Sequence, residues 1–225
     1  PRGLSFLLLA LLAAYLSFYV SLFCVLLVKW SRGRPLYFFL FAPLVWTSLE
    51  YLRSTHMKFG FSWLGLGYSQ YQSLTVIQPA EVTGVYGISA LIVLVNAALY
   101  ISLGAWMVRN DLPEQWKTAL RVLGVTGSML ALWLGWGSWA LERTQSAVAS
   151  SDTVRVGLAQ GNIEQHFKWD PLYRKATMEF YRDLTLKAAR EHPDLIVWPE
   201  AATPFNYTLD PEGTQFVRQI VRDAG

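Results

Sequence analysis

The sequence predicts a multi-domain membrane protein, with a helical transmembrane bundle followed by the N-terminal part of an α/β sandwich. Three observations predict it. Long uncharged apolar stretches recur through residues 1–143 of the 225-residue chain. The charge balance changes sign along the sequence. Residues 1–150 hold ten Lys/Arg against five Asp/Glu, whereas residues 151–225 hold nine against eleven. After residue 153 the apolar pattern reads strand, helix, strand, helix, which suits an α/β layer arrangement.

Leu4 to Val28 contains no charged residue. Crossing the hydrocarbon layer takes roughly 20 residues, so a first span is predicted over 4–28. Cys24, the only cysteine, lies inside it, which excludes an intrachain disulfide and a cysteine metal site. A lone cysteine in an apolar helix reads as buried packing material. A second span is predicted over 35–52, kinked at Pro43. Glu50 and Arg53 lie at its end, i and i+3 on one helical face. Two readings stand for this pair: it faces a polar cavity in the membrane, or it sits at the interface just outside. Residues 59–78 are rich in aromatics and broken by glycines, with Gln70 and Gln72 among them. They read as a re-entrant or interfacial segment forming a lipid-facing mouth. Trp63 and Tyr68 join Glu50 and Arg53 as candidate cavity residues. A third span is predicted over 82–108, with Asn96 making a helix–helix contact. A fourth covers 122–141, where Gly124, Gly127, Gly135 and Gly137 permit close approach.

Charge sets the expected orientation. Lys29, Arg32 and Arg34 lie between the first two spans, and Arg109, Lys117 and Arg121 between the last two. The positive-inside tendency assigns both clusters to the cytoplasm. Residues 59–78, and everything after residue 141, then lie on the periplasmic side. Pro1 also lies outside, and the sequence reads as cut from something longer, with no signal peptide at its start. The pI near 9.0 reflects cations between apolar segments, so no nucleic-acid partner is expected.

Residues 144–153 read as a polar linker. A strand is predicted over Val154 to Gln160, ended by Gly161 and Asn162. Asp170 and Pro171 read as N-cap and first residue of a helix running to about Arg190. Its apolar stripe is Leu172, Tyr173, Ala176, Phe180, Leu184 and Ala188. Leu195 to Trp198 form the next strand, stopped by Pro199. Glu200 then stands at the strand's C-terminal mouth, where α/β folds commonly place chemistry. Asp210 and Pro211 repeat the capping device, and Phe216, Val217, Ile220 and Val221 form the buried face of the last helix. Glu200 suits a general base, but acyl transfer also needs a nucleophile and an oxyanion stabiliser. His56, His166 and His192 share neither a helical face nor ligand spacing, so no metal is expected. No phosphate-binding glycine loop is present, and no cofactor is expected.

Five segments carry a family resemblance. They are Leu12-Ala13-Ala14-Tyr15-Leu16-Ser17, Glu50-Tyr51-Leu52-Arg53, Gly67-Tyr68-Ser69-Gln70, Gln160-Gly161-Asn162-Ile163 with Lys168-Trp169-Asp170, and Trp198-Pro199-Glu200-Ala201-Ala202. Together they resemble the apolipoprotein N-acyltransferase family, membrane-embedded members of the nitrilase (carbon–nitrogen hydrolase) superfamily. The resemblance covers nearly the whole chain. Trp-Pro-Glu alone marks only the wider superfamily. The chain departs from the pattern at Phe61-Ser62-Trp63, where relatives often carry Phe-Pro-Trp.

The resemblance implies a nitrilase-like αββα sandwich, of which 154–225 is the first part. It implies that Glu200 is the general base that activates a cysteine, with a lysine steadying the oxyanion. Both partners come later in the family's chain, beyond Gly225. Lys168 and Lys175 do not match the family's lysine motif, and Cys24 lies in the first span. The isolated chain is therefore expected to be inactive. Trp169 matches a functionally important tryptophan. It serves either as part of a lid over acyl chains or as an aromatic anchor at the helix start. Gln160 and Asn162 either brace the site or only end the strand. The implied partners are a phospholipid acyl donor, a diacylglyceryl lipoprotein acceptor and the bacterial inner membrane, with the protein acting as a monomer. Rival readings are a transporter using Glu50 and Arg53, a non-catalytic lipoprotein-binding protein, and a membrane-anchored nitrilase-like amidase.

Overall fold

The computed structural model describes residues 2–56, 58, 60–108, 113–164 and 166–225. They form two compact units, one ending at Ala149 and one covering Ser150–Gly225. Phe59 and Arg109, both used in the sequence reading, lie outside the described residues.

The first unit is helical. Its four long helices are α1 (Arg2–Ser31), α2 (Pro35–Thr55), α4 (Ala80–Met107) and α5 (Pro113–Ala149), with the short α3 (Leu74–Ile77) before α4. All four long helices are long and apolar enough to cross a membrane. α1 is apolar on every side and buries almost none of itself in the unit. A helix of that kind is stable only with lipid or other protein around it. Cys24 is exposed on α1, which corrects the expectation that it is buried packing material.

Arg32 and Gly33 turn the chain between α1 and α2 with φ of 49° and 69°, and Pro35 opens α2 at a position where its missing N–H costs nothing. α2 continues through Pro43, and Thr47 Oγ1 donates to the Pro43 carbonyl at 2.7 Å. The core holds Leu27 of α1, Phe39 and Ala42 of α2, Leu94, Ala97, Ala98, Ile101 and Ala105 of α4, and Ala119 and Val122 of α5. The alanines let α4 approach its neighbours closely, as membrane helices favour. Phe23 of α1 meets Trp46 of α2 edge to face, centroids 5.2 Å apart.

α4 contains one non-helical residue, Gly84, at φ 63° and ψ −175°. That conformation is open essentially to glycine alone. Asn96 is exposed and donates to Ile92 of its own helix at 2.8 Å, so the expected interhelical contact is not made. Of the four glycines proposed for close approach, only Gly137 is used. A Cβ there would overlap the Thr75 carbonyl of α3, whereas Gly124, Gly127 and Gly135 have open space. α5 also includes Lys117 and Arg121, read from sequence as loop residues, and residues 144–149, read as linker.

The second unit has two parallel strands, β1 (Val156–Leu158) and β2 (Leu195–Val197), joined by α6 (Arg174–Ala189) and followed by α7 (Pro211–Ala224). Val156 pairs with Leu195, Gly157 with Ile196 and Leu158 with Val197. Arg155 and Asp194 flank the start of this pairing. The Arg155 N–H donates to Asp194 Oδ2 and the Asp194 N–H to the Arg155 carbonyl, both at 2.8 Å.

α6 starts later than the sequence suggests. Asp170 Oδ1 accepts from the Leu172 N–H at 3.0 Å, which makes a turn, and the helix begins at Arg174. Its buried residues are Thr177, Met178, Tyr181 and Thr185. The first half of the predicted stripe is therefore off the packed face, with Leu172, Tyr173 and Phe180 exposed, whereas Leu184 and Ala188 are half-buried. The second capping device holds. Asp210 Oδ1 accepts from the Gly213 N–H at 2.8 Å, with Pro211 opening α7. Ile220 is buried, whereas Val221 is exposed.

Candidate functional site

Parallel pairing brings the C-terminal ends of β1 and β2 side by side, so Gln160, Gly161 and Asn162 emerge next to Trp198, Pro199 and Glu200. The ladder extends one residue further, because the Ala159 N–H donates to the Val197 carbonyl at 3.0 Å. Tyr181 of α6, only 2% exposed, supports both ends. Its ring stacks on Trp198 with centroids 5.1 Å apart. Burial pushes its pKa up, although the Gly161 main chain acts in the opposite direction. Trp198 is held a second time, by its Nε1 donating to Thr185 Oγ1 at 2.9 Å.

Two residues beyond this anchored tryptophan, the Glu200 side chain is exposed in a turn. Ala201 follows with φ 52° and Ala202 is buried at the far side of the turn. A left-handed alanine costs free energy, so its neighbours must hold it there. One neighbour is Lys168, whose Nζ donates to the Glu200 carbonyl at 3.1 Å. The turn carrying Glu200 is thus tied to the loop carrying Trp169, which is 57% exposed. Gln160 and Asn162 are exposed, and Asn162 has φ 49°, which asparagine tolerates better than most residues. The sequence reading did not find the Lys168 contact, nor Tyr181 and Thr185 as supports. Only the nearness of Lys168 to Trp169 hinted at the first.

An exposed carboxylate between anchored neighbours can take and return a proton. No metal-binding group of three or more His, Cys, Asp or Glu occurs among the described residues.

The other candidates lie in the first unit. Glu50 is 5% exposed, and its Oε1 accepts from the Leu66 N–H at 2.6 Å. Arg53 Nη2 donates to the Trp63 and Leu64 carbonyls, each at 3.3 Å. Both side chains line a cavity of about 30 Å³ between α1 and α2. The Gly67 N–H donates to the buried Ser89 Oγ of α4 at 2.9 Å. The segment between α2 and α4 is therefore pinned at several backbone positions, while Trp63 and Tyr68 point outward and do not line the cavity.

Residues 2–98 match the family described as apolipoprotein N-acyltransferase N-terminal domain. The apolipoprotein N-acyltransferase of Geobacter metallireducens is 34% identical over 216 residues, covering 96% of this chain and 40% of that protein. This chain belongs to the apolipoprotein N-acyltransferase family. The Photobacterium profundum enzyme of the same name is 35% identical, over 91% of this chain and 36% of its own length. That of Nitrosomonas europaea is 36% identical over 75% of the chain and 30% of its own length. The chain thus spans about two fifths or less of the curated relatives it matches. Family membership and four apolar helices make it a membrane protein.

Proposed function

We propose that the whole protein N-acylates the diacylglyceryl-cysteine amine of apolipoproteins, with a membrane phospholipid as acyl donor. The similarity to proteins of that name, over 96% of the chain in one case, carries the reading. The position of Glu200 at the paired strand ends supports it. In this reading the second unit is the start of a nitrilase-like αββα sandwich occupying residues 154–225. Residues 1–143 form the membrane domain and 144–153 the connection. Sequence outside residues 1–225 supplies a nucleophilic cysteine and an oxyanion-stabilising lysine. The isolated chain is inactive.

The reaction has two stages. Glu200 takes the proton of the cysteine thiol, and the thiolate attacks the ester carbonyl carbon of the phospholipid. The carbon–oxygen bond breaks, the lysophospholipid oxygen receives the proton, and a thioester remains. The α-amine of the lipoprotein then attacks the thioester carbon. An amide forms, the carbon–sulfur bond breaks, and the amine proton returns through Glu200 to the sulfur. Trp169 lies on the loop tied to the Glu200 turn and covers the acyl chain, with Gln160 and Asn162 bracing the site.

The protein sits in the bacterial inner membrane as a monomer, with its second unit periplasmic. The cations Arg32 and Arg34 between α1 and α2 support that orientation. Glu200→Gln in the full-length protein tests the chemistry. Thioester formation from labelled phospholipid should fall by about 10²–10⁴-fold, the usual worth of a general base. Full-rate formation would sink the assignment. An Asp152→Cys variant of the full-length protein, with its nucleophilic cysteine replaced by serine, should react with an impermeant maleimide from the periplasmic side only.

A further inference from the structure

Glu50 and Arg53 each spend one end of the side chain on the segment that follows α2. Their other ends are buried and meet no protein partner. These are Glu50 Oε2 and Arg53 Nε, together with Trp46 Nε1. The three residues recur at i, i+4 and i+7, so they share one face of α2. All three line the same cavity between α1 and α2, with Leu16, Tyr19 and Val20 opposite. Among the described residues no direct Glu50–Arg53 ion pair is formed, although the spacing allows one.

Buried charged or polar atoms without partners are costly, and three on side chains that line one cavity call for a shared one. The chemistry of the three atoms selects it. Glu50 Oε2 needs a donor, and Arg53 Nε and Trp46 Nε1 need acceptors. An anion would satisfy the nitrogens and be repelled by Glu50. A cation would satisfy Glu50 and be repelled by Arg53. A neutral molecule with both donor and acceptor capacity satisfies all of them. Size narrows the choice further. The cavity is about 30 Å³, whereas pockets for drug-sized ligands run to about 300 Å³ or more. A water needs at least about 10–15 Å³ of such space and two to four polar partners.

We propose that one ordered water sits between α1 and α2. It donates to Glu50 Oε2 and accepts from Arg53 Nε and Trp46 Nε1. It thereby joins two side chains that hold the backbone of Trp63, Leu64 and Leu66 into one hydrogen-bonded unit. The claim concerns the membrane domain alone and stands apart from the acyl-transfer reading.

Cryo-electron microscopy of the full-length protein in a lipid nanodisc, at a resolution that reveals ordered solvent, tests it. The expected result is one solvent peak at about 2.7–3.2 Å from Glu50 Oε2 and from Arg53 Nε. An empty space, a larger density, or Oε2 bonded directly to Arg53 Nε overturns it. Pulsed hydroxyl-radical labelling of the wild-type protein gives a second readout without any variant. A bound water should direct oxidation to Trp46 or Tyr19 despite their place between two helices. Protection of both from oxidation overturns the proposal.

Discussion

Gly161→Ala should damage the candidate site through Tyr181, the buried residue that supports it. A Cβ at Gly161 would stand 2.8 Å from both Cζ and the hydroxyl oxygen of Tyr181. Ordinary carbon contacts lie at about 3.5–4.0 Å, so the ring must retreat by about 1 Å. Tyr181 is almost fully buried and stacked on Trp198, so the movement has nowhere to dissipate. Overpacking of this kind costs about 1–3 kcal/mol. Gly161 is not among the positive-φ glycines, so the cost is steric rather than conformational. Tyr181→Ala alone should cost about 3–5 kcal/mol, as large aromatic truncations do. The double variant removes the clash, so it should cost little more than Tyr181→Ala. That leaves a coupling of about 1–3 kcal/mol between the sites. Urea unfolding of the full-length protein, followed by proteolytic susceptibility, measures all three. Thioester formation measures the functional arm, where a displacement near 1 Å at the site costs up to about 10²-fold. Strict additivity of the two substitutions, or a Gly161→Ala protein as stable and as active as wild type, would refute the reasoning.

Three other outcomes are expected. Asp210 is held below the usual carboxylate range, first by the Gly213 N–H and then by Arg174, whose Nη2 lies 2.7 Å from Asp210 Oδ2. A carboxyl with a lowered folded-state pKa stabilises fully above its unfolded-state pKa and loses that stabilisation as pH falls through the lower value. Asp210→Ala should therefore weaken the protein at neutral pH and match wild type in strong acid, as read by urea midpoints across pH. Cys24→Ala should change stability by no more than about 0.5 kcal/mol, because the side chain is exposed, with thermal unfolding in a fixed detergent as the check. Lys168→Met should slow thioester formation by about tenfold or less through loss of one charge-assisted contact, with partial recovery in Lys168→Arg. Unchanged kinetics in the methionine variant would remove Lys168 from the account.

α1 and α4 were legible because charge is excluded from them over more than a membrane's thickness, a signal no soluble element imitates at that length, whereas α2 and α5 were legible from shorter uncharged runs, 35–49 and 122–141. The cap at Asp210 was legible because Pro211 and the next turn agree with it. The same dipeptide at 170–171 misled, since Asp170 bonds to Leu172 within a turn and local chemistry permits both outcomes. The face of α6 was only partly legible because the packed residues include Thr177 and Thr185, one of which is a hydrogen-bond acceptor for Trp198. A stripe drawn by hydrophobicity alone passes over such positions. The position of Glu200 at a strand end could be read from Val197-Trp198-Pro199. The Lys168 bond to its carbonyl could not, because it joins residues far apart in sequence through a backbone atom.

The Arg155–Asp194 bonds have a consequence for accuracy at a distance. Leu195, Ile196 and Val197 are all apolar, so side-chain preference alone barely distinguishes one alignment of β2 from the next. The reciprocal main-chain and carboxylate bonds at Asp194 act as a peg that chooses among them. A slide of two residues would carry the glutamate roughly 7 Å along the sheet edge. One polar residue at the entrance of a strand thus decides where a reactive group comes to rest at its exit.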